Sequence, residues 1–301
     1  MDPHDGDLHA AVLRWYAEWG RDLPWRHTRD PYPVLVSEVM LQQTQVDRVL
    51  PKYAEFLTRF PTIADLAAAP AAEVIRAWKG LGYNLRAIRL HRIAQQVVAR
   101  HGGELPNTAS GLLALDGIGP YTAGAVACFA FGLPEPVLDT NVRRVLGRIV
   151  IGPDGPTAPA GSLWTIARQL LPQHAAYDWN QALMDIGARI CLPRRPQCLL
   201  CPAQPWCRSA GKVTGAVRER SASYIAAPQA PFAGSSRYYR GRIVDHLRSL
   251  APGASVSLEE LARAIKPDSA DDDLPWLRAM VAALARDGLA EIDEAGRVRL
   301  P

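Results

Sequence analysis

One carboxylate, Glu38, interrupts an apolar run in VLVSEVMLQQTQV, which spans residues 34–46. Taking a carboxylate out of water is costly, so a buried acid is normally paired with a partner or used in chemistry. The sequence leaves two interpretations open. Glu38 lies on the solvated face of an ordinary helix, or it is a buried, protonatable carboxyl that acts as an acid.

Four of the five cysteines fall within CLPRRPQCLLCPAQPWC, with the spacing C-x6-C-x2-C-x5-C. They are Cys191, Cys198, Cys201 and Cys207. The charged N-terminal sequence is unlike a secretion signal, so we expect a reducing compartment in which disulfides do not persist. Four thiolates suit tetrahedral zinc or a [4Fe–4S] cluster, and the spacing leaves both open. Four unrelated buried thiols are a further alternative, which such clustering disfavours. Cys128, within AVACFAFG, is expected to be a core side chain.

A tight turn, Gly117-Ile118-Gly119, comes immediately before a predicted helix that starts at Pro120. Such a turn aims free backbone N–H groups outward at a helix N-terminus, which suits binding of a phosphate without side-chain charge. A plain connection between two helices is the alternative that Gly-x-Gly alone favours. The other motifs of the chain reverse that preference.

The elements that must position these residues are helices. Apolar residues recur at helical spacing, with short Pro or Gly interruptions, and no alternating strand pattern precedes residue 289. The predicted helices of the first 210 residues are 8–19, 34–43, 46–59, 62–68, 71–78, 84–101, 121–131, 140–150, 161–172 and 178–190. The pattern predicts an all-α body.

The C-terminal part of the chain is predicted to be separate. Residues 214–236 are rich in Ala, Pro, Gly and Ser without a period, which is typical of a linker. Helices are then expected near 237–250, 257–265 and 274–288, followed by two short alternating runs around a Glu-Ala-Gly turn. Three helices and a hairpin predict a small winged-helix-like domain over residues 237–301.

The charge is weakly basic and unevenly spread. Residues 1–220 hold 24 Lys and Arg against 19 Asp and Glu, or +5, whereas residues 221–301 hold ten against eleven, or −1. A weakly basic body permits a phosphate-bearing partner. No apolar stretch approaches the roughly 18 residues that cross a bilayer, so we expect an intracellular protein with no membrane partner.

Seven sequence blocks occur in an order that resembles one family. They are LPWR at 23–26, SEVMLQQTQV at 37–46, GLGYNLRA at 80–87, LDGIGPYTAGAV at 115–126, LDTNVRRVLGR at 138–148, NQALMDIGA at 180–188, and the cysteine array. Over residues 8–210 the chain resembles the helix-hairpin-helix (endonuclease III) superfamily, and within it the MutY-type adenine DNA glycosylases.

The resemblance implies a two-lobed helix-hairpin-helix fold over residues 1–213. A six-helix lobe is expected at about 27–134, and the N-terminal helix with residues 135–213 is expected to form the second lobe. DNA would lie across the cleft. The four cysteines would hold a [4Fe–4S] cluster, which makes zinc the weaker alternative.

The catalytic residues implied by the resemblance follow from how an N-glycosidic bond breaks. The transition state is oxocarbenium-like, so it needs an acid for the departing base and a carboxylate facing the sugar cation. By resemblance Glu38 protonates N7 of a flipped adenine, Asp139 stabilises or traps the cation, and Asn141 belongs to the same motif. Tyr121 stands where strand-cleaving relatives carry a nucleophilic lysine. Because tyrosine cannot form a Schiff base, we expect base removal without efficient strand cleavage.

The resemblance also assigns contacts to DNA from which the target base is extruded. Gln42 and Tyr83 match the wedging positions, and Gln43 with Thr44 match contacts to the opposite base. The residues that match the adenine pocket are Trp25, Arg26, Leu41, Val46 and Tyr121. The residues of the DNA-binding hairpin are Gly117, Gly119 and Thr122. Arg143 and Arg144 are expected to face solvent or a phosphate, with phosphate favoured for one of them.

Two departures from the family stand at these motifs. Asn84 replaces a common tyrosine after Tyr83, and Thr140 replaces a glycine after Asp139. In addition, residues 237–301 are too short for the nudix-like domain that reads 8-oxoguanine in many relatives. Thr140 bears on the reach of the neighbouring carboxylate of Asp139, and the short C-terminal part bears on how an oxidised guanine is recognised.

The expected activity is removal of adenine opposite 8-oxoguanine or guanine, by a monomer in the bacterial cytosol that associates with the nucleoid. Its partner would be double-stranded DNA that contains a mismatch or an oxidised guanine. A glycosylase for another base, such as thymine opposite guanine, is the alternative, which LQQTQ disfavours. A non-catalytic lesion-binding protein is a third possibility, which the pair Glu38 and Asp139 disfavours.

Overall fold

The computed structural model describes residues 3–213, 231–267 and 273–301, with side chains from residue 6 onward. Within these ranges the chain is mostly helical. The α-helices are α1 (Pro3–Trp19), α2 (Pro31–Leu41), α3 (Val46–Arg59), α4 (Ile63–Ala68), α5 (Ala71–Ala77), α6 (Leu85–His101), α7 (Ala109–Leu113), α8 (Pro120–Phe129), α9 (Thr140–Leu146), α10 (Ala160–Gln169), α11 (Ala176–Arg189), α12 (Ser236–Ser249), α13 (Leu258–Ile265) and α14 (Leu274–Arg286). The strands are β1 (Glu291–Ile292) and β2 (Val298–Arg299).

The predicted helices are confirmed within a few residues at most ends. Capping residues and glycines near the helix ends explain several of these boundaries. A capping box between Thr62 and Asp65 starts α4, and Gly102, at φ +63°, ends α6. Helix α7 is absent from the sequence prediction, as are the three-residue 3-10 turns at Pro24–Arg26, Gly155–Thr157, Cys198–Leu200 and Gln204–Trp206. Helix α7 has only five residues, too few to show a period, and α9 continues into a π-helical turn at Gly147–Ile151.

One compact unit comprises residues 3–34, 106–114 and 118–213. Its central helix, α11, packs against α1 and α9. Trp179 of α11 is 1% exposed, and His9 of α1 meets its ring edge-on, with 4.7 Å between centroids. An aromatic contact of this geometry adds about 0.5–1.5 kcal/mol to the burial of the rings. The cysteine array follows directly after α11.

The other compact unit comprises residues 35–105, 115–117, 231–267 and 273–301. Helices α4 and α5 both pack against α6. Ile75 of α5 and Ile88 of α6 are buried in one hydrophobic core with residues of the C-terminal helices, among them Leu247, Leu261 and Leu284. The C-terminal helices therefore complete a core that α5 and α6 share.

The C-terminal residues form the predicted three helices and hairpin. Strands β1 and β2 are antiparallel, with Glu291 opposite Arg299, and Val256 bridges Val298 from the other side. The predicted linker falls mostly on residues 214–230, and the acidic DSADDD segment mostly on residues 268–272, all of them outside the described residues. Every helix in the described ranges is too short or too polar to span a bilayer.

Candidate functional site

Glu38 is buried on α2. It is 4% exposed, and its neighbours Val36, Val39 and Met40 are also buried. The solvated-face interpretation is therefore wrong, and the interpretation that places Glu38 in the interior is confirmed. The catalytic role of Glu38 stays a prediction.

The polar turn after α2 carries the other predicted residues of its block. Leu41, Gln42, Thr44 and Val46 are half-buried, whereas Gln43 is exposed. Gln43 has a φ of +57°, in the left-handed region that non-glycine residues rarely adopt. The surrounding structure must hold this conformation, because it costs on the order of 1 kcal/mol or more by itself.

Arg86 holds the C-terminal end of α2. Its guanidinium is buried, and Nη1 donates to the carbonyls of Val39, Met40 and Gln42 at 2.9, 2.8 and 2.6 Å. The last carbonyls of a helix have no partners within the helix, so a cation placed there satisfies them and complements the helix dipole. The residue that terminates α2 thus comes from α6.

The second nitrogen of the same guanidinium extends the contact to two turns. Nη2 of Arg86 donates to the Thr44 hydroxyl at 2.9 Å and to the carbonyls of Leu81 and Gly82 at 3.1 Å each. Burial lowers the pKa of Arg86 to about 10, while Tyr83 acts in the opposite direction, so the group stays charged at neutral pH. Arg86 therefore joins the turn after α2 to the turn before α6.

Tyr83 lies in that second turn and is 56% exposed. Its φ is +45°, and Gly80 and Gly82 on its N-terminal side also have positive φ, at +93° and +70°. The Arg86 guanidinium lies 5.6 Å from the Tyr83 ring centroid, within cation–π range. Among the described non-glycine residues, only Gln43 and Tyr83 have positive φ. Both are predicted DNA contacts, and strained backbone of this kind concentrates at functional sites.

Asp139, the second predicted catalytic acid, is the N-cap of α9. Its Oδ1 accepts a hydrogen bond from the Val142 amide at 2.6 Å, and its Oδ2 accepts one from Asn141 Nδ2 at 3.1 Å. Burial raises the pKa of the Asp139 carboxyl above its ordinary value, while these two hydrogen bonds and the charge of Arg144 act to lower it. Asp139 and Asn141 are thus in direct hydrogen-bond contact, and their catalytic roles stay predictions.

Arg144 connects this motif to the cysteine loop. Its Nη2 donates to Asn141 Oδ1 at 2.8 Å and to the Gly187 carbonyl at 2.6 Å, and its Nε donates to the Cys191 carbonyl at 2.6 Å. The side chain is 3% exposed. The expectation that Arg144 faces solvent or a phosphate is therefore wrong. Its guanidinium is used inside the protein, and Arg143 stays a candidate for phosphate contact.

Arg148 makes a second connection to the cysteine loop. It is 1% exposed, and it donates to the carbonyls of Leu192 and Pro193 at 2.8 Å each. Its Nη1 also donates to Cys191 Sγ at 3.3 Å, and the Cys207 thiol donates to its carbonyl at 3.4 Å. Both ends of the cysteine array are therefore attached to one arginine.

The four cysteines line a single cavity together with Arg148. All four thiols are free. Burial is the main cause that raises the pKa of Cys201 to about 12, and the three neighbouring cysteines add to it. As the side chains stand, no set of three or more His, Cys, Asp or Glu among the described residues is placed to bind a metal ion. The [4Fe–4S] assignment stays a prediction.

Helix α11 also orients the chain on both sides of Asp139. Asn180 accepts a hydrogen bond from the Val137 amide at 3.1 Å and donates to the Glu135 carbonyl at 2.9 Å. At Gly187, an added Cβ would lie 2.6 Å from the Cβ of Asn141, closer than real contacts allow. Glycine is required there because the backbone of α11 passes directly against Asn141.

Arg26, a predicted pocket residue, is held in an ion pair. Its Nη1 and Nη2 donate to Asp185 at 2.9 and 2.8 Å, and Arg21 Nε donates to the same carboxylate at 2.7 Å. Burial acts to raise the pKa of Asp185, but the hydrogen bonds and charges of Arg26 and Arg21 outweigh it and lower that pKa. Trp25, the neighbouring pocket residue, is 6% exposed. The role of both in an adenine pocket stays a prediction.

The glycine turn comes directly before α8, which begins at Pro120 as the sequence predicts. Gly117, at φ +103°, and Gly119 are both exposed, and Gly119 is the N-cap of α8 with Pro120 at the first helical position. Tyr121 is half-buried and Thr122 is 4% exposed. The exposed glycines stand directly before the N-terminus of α8, and phosphate binding at this turn stays a prediction.

Sequence reasoning missed the residues that hold the site residues in place, chiefly Arg86, Asn180 and Asp185. All three lie inside the quoted blocks GLGYNLRA and NQALMDIGA, as does Gly187. The available signal was a polar residue at an apolar-face position of a helix, since buried polar groups must be hydrogen-bonded.

The chain is similar in sequence and in fold to known DNA glycosylases. Residues 36–160 match the family described as HhH-GPD superfamily base excision DNA repair protein. The chain is 41% identical over 295 residues to the adenine DNA glycosylase of Mycolicibacterium smegmatis, across 97% of this chain and 95% of that protein. It is 44% identical over 217 residues to the adenine DNA glycosylase of Homo sapiens, across 68% of this chain and 40% of that protein. Its fold is similar to that of a thermostable thymine-DNA glycosylase, with a TM-score of 0.64, 33% identity and coverage of 70% of this chain and 100% of that one.

Proposed function

The chain belongs to the adenine DNA glycosylases, hydrolases of base-excision repair with the HhH-GPD fold, and from that premise we propose that it removes adenine opposite 8-oxoguanine or guanine without cutting the strand. The observation that carries the proposal is the burial of Glu38, which is 4% exposed on an apolar helix. A carboxyl kept out of water can stay protonated near neutral pH and deliver its proton to a departing purine.

In the proposed mechanism Glu38 protonates N7 of the flipped adenine and helps to direct the water. The glycosidic bond then breaks, and the electron pair leaves with the neutral base. Asp139 stabilises the sugar cation or traps it covalently. The hydrogen bonds from Val142 and Asn141 support this role, because they favour the ionised form of Asp139 against the opposing effect of burial.

The absence of strand cleavage rests on Tyr121, the second residue of α8. Schiff-base chemistry needs an amine, and a phenol cannot supply it. We expect Tyr121 to contribute instead to the wall of the adenine pocket, together with Trp25, Arg26, Leu41 and Val46.

The contacts to DNA are assigned to the two strained turns. Gln42 and Tyr83 would enter the space that the extruded base leaves, and the exposure of Tyr83 supports this role. Gln43 would read the opposite base with its exposed side chain. Thr44 would act mainly through its position in the turn, because its hydroxyl already accepts from Arg86 and donates to the Leu81 carbonyl.

Phosphates would be bound at the hairpin turn. Gly117 and Gly119 leave the backbone accessible, and the N-terminus of α8 supplies N–H donors, with Thr122 at its first turn. A double-stranded partner with a mismatch or an oxidised guanine fits this set of contacts, bound by a monomer.

We assign a [4Fe–4S] cluster to the cysteine loop from the number and spacing of its thiols. Cys191, Cys198, Cys201 and Cys207 line one cavity, their thiols are free, and the N–H of Arg148 already points at a sulfur. Thiolate ligands that accept hydrogen bonds are characteristic of such clusters. When bound, the cluster would supply four iron–sulfur bonds that fix the loop. The arginines described above would then hold that loop against α9.

The C-terminal residues 237–301 are proposed to be winged-helix-like. The order of three helices and a hairpin, with Val256 paired to Val298, supports this assignment. Since the substrate is chromosomal DNA, the proposed place of action is the bacterial cytosol, in association with the nucleoid.

One substitution and one duplex panel test the proposal. The variant Glu38→Gln should keep DNA affinity and iron content but lose base excision, whereas the control Glu55→Gln, at a 60% exposed acid, should behave as the unmodified protein. Substantial excision by the Glu38→Gln variant would reject Glu38 as the acid.

The panel consists of A:8-oxoG, A:G, T:G and U:G duplexes, treated with alkali after incubation. We expect breaks only in the adenine strands, and only after alkali. The fold of this chain is similar to that of a thymine-DNA glycosylase, so removal of thymine from T:G duplexes is the second candidate activity. Breaks in the T:G duplex alone would establish that activity. Binding without cleavage of any duplex would indicate a lesion-binding protein.

A further inference from the structure

A buried arginine on α12 reaches from the C-terminal helices to the turn that carries Tyr83. Arg248 is 4% exposed. Its Nη2 donates to Asn84 Oδ1 at 2.8 Å, its Nε donates to the Ile75 carbonyl at 2.9 Å, and its Nη1 donates to Asp245 at 2.8 Å. All three nitrogens of the guanidinium therefore donate hydrogen bonds, and two of them contact residues that precede α6.

The contact at Asn84 replaces an ordinary local interaction. Asn84 stands at the N-cap position of α6, where an asparagine oxygen usually accepts from an amide of the first turn. Its side chain makes no capping hydrogen bond, and the oxygen accepts from Arg248 instead. The chain therefore uses the Asn84 oxygen to attach the turn to the C-terminal helices.

The position next to Asn84 is the strained one. Tyr83, at φ +45°, is exposed and needs neighbours that hold its backbone. Arg86 contacts the turn on its N-terminal side, at the carbonyls of Leu81 and Gly82, and Arg248 contacts it on its C-terminal side through Asn84. Two buried arginines therefore hold the residues on either side of Tyr83.

We propose that the C-terminal domain positions Tyr83 for insertion into DNA, through the hydrogen bond from Arg248 to Asn84. This inference rests on the proposed function of Tyr83 as a wedge. It assigns the C-terminal residues a role in base extrusion that requires no contact between them and DNA. Arg248 and Asn84 are positioning residues, because they act on the substrate through Tyr83.

Truncation of the C-terminal domain is a poor test, since it would uncover Ile75 and Ile88, which are buried in the shared core. Point substitutions avoid this. The variants are Arg248→Met and Asn84→Ala, each alone and combined, with Asn84→Asp as the conservative change that keeps an oxygen acceptor. The matched control is Arg240→Met, which removes an arginine on the same helix that pairs with Asp287.

The readouts are the single-turnover rate of adenine excision and the affinity for an uncleavable duplex. Coupling through a positioning contact is typically about 0.5–2 kcal/mol, so we expect Arg248→Met and Asn84→Ala each to slow excision about 2- to 30-fold. The double variant should be no slower than the worse single variant. Asn84→Asp and Arg240→Met should stay within about 2-fold of the unmodified protein.

Measurements in a Tyr83→Ala background distinguish failure of the proposed wedge role of Tyr83 from failure of the positioning role of Arg248. If Tyr83→Ala itself leaves excision unchanged, the proposed function of Tyr83 is wrong. If Tyr83→Ala slows excision but Arg248→Met does not, the positioning role is wrong and the wedge stands. If Arg248→Met slows excision equally with and without Tyr83, its effect is merely structural, which also overturns the inference.

Discussion

Two buried arginines, one in each compact unit, solve the same electrostatic problem in opposite ways. Arg26 faces the carboxylate of Asp185, which is fully buried, at 2.8 and 2.9 Å. Arg86 faces six oxygens, of which five are backbone carbonyls and one is the Thr44 hydroxyl. The first charge is neutralised by an acid, and the second is solvated by backbone dipoles.

The pKa values follow this difference. Burial acts to lower the pKa of Arg26, but the hydrogen bond and charge of Asp185 more than compensate and raise it. Burial lowers the pKa of Arg86 to about 10, because dipoles replace only part of the lost hydration. An ion pair joins two points of a structure. A set of carbonyls converging on one cation can organise several segments, which is what the turns around Gln43 and Tyr83 require.

The largest expected effect is from breaking the ion pair. Asp185→Ala would leave Arg26 and Arg21 beside an empty space, and removing one partner of a buried pair typically costs about 3–5 kcal/mol. The free energy of unfolding, measured by urea denaturation, should fall by that amount. The control Asp178→Ala removes an acid in the first turn of the same helix that is not fully buried, and it should cost about 1 kcal/mol or less.

The same variant has a pH signature. The pKa of Asp185 is lower in the folded state, so its contribution to stability is present above the unfolded pKa of about 3.9 and is lost as pH falls through the folded pKa. The unmodified protein and Asp185→Ala should therefore approach the same stability in acid. A difference that stays constant as the pH is lowered through this range would contradict the ion-pair account.

Removing Arg86 from its carbonyl acceptors should lower the free energy of unfolding less than Asp185→Ala does, but it should reduce adenine excision more. Arg86→Met leaves several buried carbonyls without a donor, and we expect a loss of about 2–4 kcal/mol. Because both strained turns lose their common partner, adenine excision should fall further than in Asp185→Ala when each variant is assayed well below its melting temperature. Arg48→Met is the control, since Arg48 donates to the Gly80 carbonyl of the same region from the exposed surface. Equal losses of excision in Arg86→Met and Arg48→Met would remove the special role of Arg86.

Lysine substitutions sharpen the comparison. Arg26→Lys keeps a positive charge opposite Asp185. Arg86 donates to two turns through two nitrogens, Nη1 and Nη2, and a lysine at that position has only one nitrogen to replace them. We expect Arg86→Lys to be the more destabilised variant by about 1 kcal/mol in urea denaturation. The opposite order would mean that fork geometry matters more at the ion pair than at the carbonyls.

The sequence predicts the local elements well, because periodicity and capping are short-range. The pattern predicts a helix at 46–59, and α3 is observed at Val46–Arg59. The odd acid in an apolar run, Glu38, is buried, as its apolar neighbours in the sequence indicate. These features depend on residues within a few positions of one another, and one sequence contains that information.

The partners of the buried polar residues could not be predicted in the same way. Arg26 and Asp185 are 159 residues apart, and Arg86 and Val39 are 47 apart. A helical pattern shows which face a residue occupies, but it does not show what lies opposite. Arg144 illustrates the consequence, since the expected surface arginine is buried against the Cys191 carbonyl.

The smallest expected effect concerns Asp139. Its carboxylate accepts a hydrogen bond from the side-chain amide of Asn141, whereas the carboxylate of Asp185 is paired with two arginines. Asn141→Ala removes the hydrogen bond to Asp139 Oδ2, one of the contacts that lower the raised pKa of that carboxyl. In the proposed mechanism excision needs ionised Asp139, so we expect activity to fall as pH decreases through its folded pKa. The substitution should move this acidic limb to higher pH. A few-fold loss of single-turnover rate near neutral pH should therefore grow in acid. Thr140→Ala, at an exposed neighbouring position, should leave the profile unchanged. Parallel pH profiles for Asn141→Ala and the unmodified protein would show that Asn141 does not tune the acid.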